Sequence, residues 1–367
     1  MKRICLYGAS ENLGGTEIYL ITMVRAVKND FIFDFLVHHE YGKIPFEDEI
    51  ISYGGKVYRE YYKNGEKNLP EYISPEKLLS MHPEWDGIYL NLQSIDTSYR
   101  LLVAAKKRGL KYRIVHSHNA NYVDQTGMKG KIYEKYFSLT KNYVVTDFLA
   151  CSNMAGKWLF GTKTNCTVIP NSVDFDKFKI NDIVRKEKRN EYEIADKEIV
   201  IGFCGRLTYQ KNPEFLVDIL SVLNEKKAVK LLIVGDGELK PAIVGKAKKA
   251  GVLESVIFAG SVNNTADYYQ MMDCFVLPSR FEGFGIVLLE AQAAGLYCFT
   301  TDQAVPYETN VTGRVNFISQ NATAEKWADS ILKQGFERID CQTILENSNY
   351  SINEMKRKIL KLFKYER

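Results

Sequence analysis

The sequence predicts two α/β domains in tandem, each a doubly wound parallel sheet, and three observations predict it. Short apolar runs alternate with amphipathic segments along the whole chain, the signature of parallel strands joined by crossover helices. That alternation begins afresh near residue 199, after a stretch dense in charge. The chain is also 367 residues long, more than one core comfortably fills, so two domains of roughly 150–180 residues are the natural partition.

In the first half the strand candidates are Ile4–Gly8, Phe31–Val37, Ile88–Leu92, Tyr112–His116 and Phe148–Ser152. Between the first two, Leu20, Met23, Val24 and Val27 fall at i, i+3, i+4 and i+7, so Glu17–Val27 reads as a helix with one apolar face. In the second half Ile199–Cys204 is a strand and a helix follows from Pro213. Asn212 suits its N-cap, proline suits its first position, and Leu216, Ile219, Leu220 and Leu223 make its apolar stripe. Further strands fall at Leu231–Val234, Val256–Ala259, Cys274–Leu277 and Tyr297–Thr300.

The boundary lies between Ile169 and Glu198, which holds IPNSVD (169–174) and the charged run DIVRKEKRNEYEIADKE (182–198). The expected domains are residues 1–170 and 171–349. Residues 350–367 form a basic amphipathic helix with Ile352, Met355, Ile359 and Leu362 on one face. Packing back on the first domain and lying on a membrane both suit it, and packing is the plainer choice.

Hydrophobic residues make up 46% and charged residues 26%, the balance of an ordinary globular protein. A net charge of +4 is too small to imply nucleic acid as a partner. Basic residues do cluster, at Lys106, Lys107, Arg108, Lys111 and Arg113, and again at Lys356, Arg357, Lys358, Lys361 and Lys364. Solvated faces, or attraction to an anionic membrane or a phosphorylated lipid, would each explain them. Seven cysteines form an odd set without a CxxC pair, mostly inside apolar runs, which fits buried thiols in a reduced, cytoplasmic compartment. The apolar run of MKRICLYGAS is too short for a signal peptide, and no segment approaches 18 consecutive apolar residues, so any membrane contact is peripheral.

Four stretches carry chemistry. In GRLTYQKN (205–212), Arg206 follows a strand and Lys211 precedes a helix. Two cations beside a helix N-terminus suit a diphosphate, and solvated surface cations are the plain alternative. In EGFGIVLLE (282–290), Gly283 and Gly285 allow close backbone approach ahead of a helix, and Glu282 stands where the helix dipole favours a carboxylate. Glu290 has Ile286, Val287, Ala293 and Ala294 as helical neighbours, so its carboxylate needs a polar partner: a salt bridge, or ribose hydroxyls. In SENLGGTE (10–17), Gly14 and Gly15 could offer free amides to a phosphate or simply make a tight turn, and Thr16 can cap the next helix. In HSHN (116–119), His116 and His118 share one face of a strand end. A metal would need a third ligand, and none is spaced for it. No GxxxxGK[ST], HExxH, GxSxG or metal-binding DxD pattern occurs, and the GxG of GDGE (235–238) carries little alone.

Taken in order, GFCGRLTYQKN, LLIVGDGELK, VIFAGSV and DCFVLPSRFEGFGIVLLEAQAAG, with GGTE, HSHN and IPNSVD from the first half, resemble glycosyltransferase family 4. These are retaining enzymes of the GT-B fold, two Rossmann-like domains facing across a cleft. The likeness is greatest to transferases that build capsular or exopolysaccharide repeat units. It implies that Arg206 and Lys211 hold the donor diphosphate, Glu290 grips the ribose and Glu282 addresses the donor sugar. The backbone of Gly283, Phe284, Gly285, Ile286 and Val287 would meet sugar and phosphates, and the stretch near Val262 would cover the base. Gly14 and Gly15 match the first-domain loop near the diphosphate, and His118 the histidine beside the donor sugar. Two departures stand out: Ser172 where glycine is common, and Gly285–Ile286 where Pro–Asn is frequent.

The resemblance therefore implies a metal-independent, retaining transferase without a cofactor, using a nucleotide-sugar donor, a UDP-sugar by the weight of the family. Its acceptor would be a saccharide, lipid-linked at the inner membrane face. A nucleotide-sugar 2-epimerase and a non-catalytic nucleotide-sugar-binding subunit are the alternatives on the same fold.

Overall fold

A computed structural model describes residues 1–12, 14–38, 40–61, 73–92, 94–95, 98–118 and 128–364. Asn119 of the HSHN stretch lies outside the described residues, as does the end of the C-terminal helix beyond residue 364. The chain divides into two compact units, Met1–Ser172 with Ile352–Arg367, and Val173–Ser351.

The sheet of the first unit contains β1 (Lys2–Tyr7), β2 (Phe31–His38), β3 (Val57–Tyr61), β4 (Gly87–Leu92), β5 (Tyr112–Ser117), β6 (Asp147–Ala150) and β7 (Thr167–Val168), in the order β3-β2-β1-β4-β5-β6-β7. Every pair is parallel. Successive residues point to opposite faces, and both faces are covered, so β4 and β5 are buried at every position. Ile4 and Leu6 face a core shared with helix Gly15–Val27, while Cys5 faces a second core with helix Ser98–Arg108. Helix Ile352–Lys364 seats Met355, Ile359 and Phe363 in the first of these cores. The Phe363 ring lies 4.9 Å from Phe31, and its carbonyl accepts from Tyr112 Oη at 3.0 Å and from Lys2 Nζ.

The second unit holds β8 (Ile199–Cys204), β9 (Val229–Val234), β10 (Val256–Gly260), β11 (Cys274–Leu277), β12 (Tyr297–Thr301) and β13 (Val315–Ile318), ordered β10-β9-β8-β11-β12-β13 and again parallel. The order reverses at β1/β4 in one sheet and at β8/β11 in the other. Such reversals open a crevice beyond the carboxyl ends of the strands, where doubly wound sheets bind ligands.

Each strand read from the sequence is present, and three others join them: β3, β7 and β13, all at sheet edges. The charged run lies in the second unit, on the side of the boundary where the expected domains put it, and its residues Asp182–Glu191 form a helix capped by Asn181 at the Val184 amide. It is clamped by Asp273, whose carboxylate takes Arg185 at 2.5 Å, Arg189 at 3.3 Å and the Val200 amide at 2.7 Å. Asn212 does not cap the next helix, which spans Phe215–Asn224 after a turn at Pro213. Its backbone is left-handed, φ 52°, and its side chain reaches across to Pro278 and Arg280 instead. Thr16 caps nothing either, for helix Gly15–Val27 opens on the extended backbone of Gly14 without a side-chain cap.

Among the described residues no helix is long and apolar enough to cross a membrane. All seven cysteines are free, and all but Cys166 are buried.

Candidate active site

The loops leaving β8 and β11 are joined across the reversal in the second unit. The Arg280 amide donates to the Gln210 carbonyl at 2.8 Å, and Gln210 Nε2 donates to the Phe281 carbonyl at 3.0 Å. Asn212 Nδ2 donates to the Pro278 carbonyl at 3.2 Å, and Arg280 Nη2 donates to Asn212 Oδ1 at 2.8 Å. Beside these bonds Lys211 Nζ meets Glu282 Oε1 at 2.6 Å, and Ser279 Oγ donates to the same oxygen at 2.6 Å. Both members of the ion pair are largely covered, with side chains 17% and 5% exposed. Glu282 Oε2 has no hydrogen bond among the described residues.

Arg206 stands apart. It sits on the loop after β8, exposed, and its guanidinium has no ion pair or hydrogen bond among the described residues. Its backbone is nonetheless fixed. The Gly205 amide donates to Val234 and the Leu207 amide to Asp236, both at 2.9 Å, while the Leu239 amide returns to Leu207 at 3.0 Å. The GDGE loop makes this possible: Gly235 has φ 129°, and a Cβ there would lie 2.1 Å from the Gly205 carbonyl oxygen. The glycine that looked uninformative in the sequence is what lets one loop buttress the other.

After Glu282 the backbone bends into helix Ile286–Ala293 through Gly285, whose φ of 79° puts it in the left-handed region. A side chain there would find space but not a relaxed backbone. The amides of Gly283, Phe284, Gly285, Ile286 and Val287 donate to no acceptor among the described residues. Five free donors at a helix start, with the dipole behind them, make a site for anionic oxygens. Phe284 is buried against Tyr350, ring centroids 5.0 Å apart, which anchors the bend.

One turn into that helix, Glu290 Oε2 accepts from Tyr269 Oη at 2.8 Å. The partner its apolar surroundings demand is thus a tyrosine rather than a cation. Burial pushes its carboxyl up to about 6, against the opposing pull of the Tyr269 bond and nearby Lys211. The residue as a whole is only partly buried. The ionised form is therefore costly but within reach at neutral pH, and Oε1 carries no hydrogen bond among the described residues. The same burial, with Glu290 nearby, pushes the Cys204 thiol up to about 12, so that cysteine is inert packing. Val262 follows β10, partly buried against the core, two strands from β8 at the same sheet edge.

In the first unit, Gly14 and Gly15 lead into helix Gly15–Val27, whose Tyr19 ring packs 4.6 Å from His118 and 4.8 Å from His116. The two imidazoles lie 4.1 Å apart, as one strand face requires. Tyr19 Oη and Tyr89 Oη are 2.9 Å apart, and Tyr89 Oη lies 2.6 Å from His116 Nδ1. Burial holds both imidazoles neutral: His116 well below its ordinary range, with His118 adding repulsion, and His118 down to about 3. The His118 residue as a whole is only partly buried, but its Nε2 is enclosed. Glu17 ties the preceding loop, accepting from the Ser10 amide at 3.1 Å and its hydroxyl at 2.8 Å.

Sequence reasoning did not single out Ser279, Tyr269 or Asn91. Asn91 ends β4 at the reversal, is 3% exposed, and neither Nδ2 nor Oδ1 has a hydrogen-bond partner among the described residues. A polar residue inside an otherwise apolar strand, YLNL, was its only signal. Among the described residues no group of three His, Cys, Asp or Glu is arranged to hold a metal.

Two doubly wound parallel sheets, one presenting cations, free amides and carboxylates at its reversal, define the GT-B fold. Solved structures agree on the fold: Anabaena Alr3699/HepE, in complex with UDP and glucose, superposes with a TM-score of 0.78 at 16% identity, over 98% of this chain and 99% of that one. Residues 184–338, inside the second unit, match the family described as Glycosyl transferases group 1. A Bacillus subtilis (strain 168) protein named as a glycosyltransferase, EpsF, is 26% identical over 340 residues, 90% of this chain and 87% of that protein. The capsular polysaccharide biosynthesis glycosyltransferase CapM of Staphylococcus aureus is 28% identical over 196 residues, 53% of this chain and 49% of its own length. The chain is a glycosyltransferase carrying a group 1 domain in its second unit.

Proposed function

We propose that this enzyme moves a sugar, with retention of anomeric configuration, from a UDP-sugar to a lipid-linked saccharide during capsular or exopolysaccharide synthesis, as a family 4 transferase. The second unit takes the donor and the first the acceptor. One observation carries the reading: at the β8/β11 reversal an unpartnered Arg206, the Lys211–Glu282 pair and five free amides share one loop cluster with a carboxylate that keeps an open oxygen.

Cleaving the bond to the anomeric carbon develops negative charge on the diphosphate. Arg206, Lys211 and the amides of residues 283–287 are fixed donors for that charge, which is how preorganised electrostatics lowers a barrier. The reaction needs no metal or cofactor on this reading. Lys211 leaves or shares Glu282 as phosphate arrives, and Glu282 then accepts from donor-sugar hydroxyls. Glu290 Oε1 takes ribose hydroxyls, its Oε2 being steadied by Tyr269. Val262 covers the base. In the first unit, Gly14 and Gly15 offer amides to an anionic oxygen, and His118, neutral by burial, orients a sugar hydroxyl. The relatives support polysaccharide synthesis, since CapM carries that description, and the Anabaena complex supports UDP.

The test offers UDP-, GDP- and ADP-sugars with and without a lipid extract as acceptor, following nucleotide release and the product's anomeric proton. Acceptor-dependent release of UDP with retained configuration is expected. An isomerised sugar still bound to nucleotide would point to epimerisation, and binding without turnover to a non-catalytic role.

A further inference from the structure

The strand order of the second unit runs in opposite directions from β8, and right-handed crossovers then place helices on both faces of the sheet. Helix Ile286–Ala293, with its free amides, covers one face, while helices Phe215–Asn224 and Ala324–Gln334 pack together on the other. On that second face, at the carboxyl edge of the strands, lies a cavity of about 370 Å³. Asn212, Arg280, Thr301 and Asn321, from the ends of β8, β11, β12 and β13, all line it. Lys211 and Asn212 are neighbours on one loop, yet Lys211 turns to Glu282 and Asn212 to this cavity.

The lining says what chemistry fits. Thr301 is 2% exposed, and its hydroxyl has no hydrogen bond among the described residues. The carboxamides of Gln320 and Asn321 and the carboxylate of Glu214 are likewise unbonded among the described residues. The Arg280 guanidinium lies 4.4 Å from the Tyr209 ring and bonds to Asn212, but its enclosed Nε has no partner among the described residues. Lys246 and Asp218 neutralise each other at 2.5 Å. What stays open is one cation, one carboxylate, a hydroxyl and two carboxamides, beside Phe215 and Trp327.

Phosphate suits this set poorly. Glu214 repels it, and the first amides of helix Phe215–Asn224 are already taken: Phe215 donates to Asn212, Leu216 to Pro213 and Val217 to Glu214. The start of helix Ile286–Ala293, with free amides and no such bonds, is the opposite case. A cation meets the open Arg280. A sugar ring carries hydroxyls that both donate and accept, with apolar C–H faces between them, and polar groups of both kinds beside aromatic walls match it.

We propose that this cavity binds a neutral saccharide of one or two sugar units, at a site separate from the groups around Lys211 and Glu282. Holding a sugar chain at a second point raises its effective concentration for an enzyme that acts on saccharides. That use rests on the proposed function, but the binding itself does not.

Saturation-transfer NMR on the full chain, without nucleotide, offers glucose, galactose, N-acetylglucosamine, maltose, lactose and N,N′-diacetylchitobiose. Transfer to at least one is expected, and it should persist with saturating UDP-glucose. Thr301→Val, which keeps the side chain's shape, combined with Glu214→Leu should weaken binding by about tenfold. Asn321→Trp fills the cavity from an exposed position and should abolish it, with the fold intact. Tighter binding of the disaccharides supports a chain segment as occupant, and equal affinity a free sugar. Undiminished transfer in the Asn321→Trp variant, no transfer to any of the six, or loss of transfer on adding UDP-glucose would overturn the proposal. The last would mean that the sugar sat in the donor's place. If the sugars bind as expected while no nucleotide is released with any acceptor, the proposed function fails and the saccharide site stands.

Discussion

The two sheets reverse their strand order in the same way, yet the edges at the two reversals are finished differently. At β8/β11 several side chains are paired across the gap, Lys211 with Glu282, Asn212 with Arg280 and Gln210 with Phe281, beside the open donors of Arg206 and the amides of residues 283–287. At β1/β4 and the neighbouring end of β5, the polar groups are buried and sparsely bonded: Asn91, His116 and His118 each keep an atom without a partner among the described residues. A pre-paired charged edge can exchange one of its own ions for a ligand's without moving the backbone, which suits a diphosphate. A desolvated neutral edge gains most from hydroxyls, because each new bond relieves an unmet donor or acceptor. On the proposed function the difference suits a diphosphate at the β8/β11 edge and sugar hydroxyls beside Asn91 and His118.

The largest expected effect tests the charged edge. Lys211→Ala should lower turnover by about 10²–10³-fold, as loss of a fixed donor to a developing oxyanion does, with the fold intact. His118→Ala should cost about tenfold, the lesser effect of losing an uncharged orienting group. Steady-state kinetics of both variants decides it. Equal losses would erase the contrast between the edges.

Much of this arrangement was legible in the sequence, and the misses share physical causes. Central strands such as β4 and β8, buried on both faces, read as unbroken apolar runs. The strands that escaped notice, β3, β7 and β13, lie at sheet edges, where one side faces water and sequences such as VYREY are tolerated. Arg206, Lys211 and Glu282 could be found because a cation or carboxylate at a strand end needs a reason. Tyr269 and Ser279 could not, since their role depends on which distant carboxylate the fold brings to them. The helix within the charged run 182–198 went unread because Arg185 and Arg189 look solvated until Asp273 is seen between them.

A second comparison concerns acid, and here the units should respond with opposite sign. Glu290 has its carboxyl raised from 4.5 to about 6 by burial. The folded state then holds the proton more tightly than the unfolded one, so this group's contribution to stability falls as pH rises from about 4.5 to 6, by at most about 2 kcal/mol. Donor affinity should move the other way, weakening as pH drops through 6 and the carboxylate is lost. Glu290→Gln should flatten the pH dependence of donor binding and weaken it at pH 7.5. Calorimetric titration with the donor nucleotide between pH 5 and 8 shows whether it does.

His118 is depressed from 6.5 to about 3. The unfolded chain binds the proton more readily, so its contribution is complete above pH 6.5 and is lost as pH falls. Because the residue as a whole is only partly buried, about 1 kcal/mol at pH 5 is a fair magnitude. Hydrogen exchange should show the amides of β5 losing protection from pH 6.5 to 5, and His118→Gln should remove most of that slope. Unchanged protection would mean that the imidazole titrates like a free one.

The smallest effect is the most diagnostic of the neutral edge. Breaking a partnered group in the second unit should destabilise it, whereas Asn91 has no partner among the described residues to lose. Leucine keeps its branching at the γ position and removes both polar atoms, so Asn91→Leu should be neutral or raise stability by about 1 kcal/mol, offset in part by its larger volume. Chemical denaturation of the variant measures this directly. A gain in stability accompanied by weaker acceptor binding would mean that the carboxamide is kept for a ligand at the expense of the fold. A loss of more than about 1 kcal/mol would show that Asn91 is already bonded in the folded protein, and the contrast between the two edges would then rest on the histidines alone.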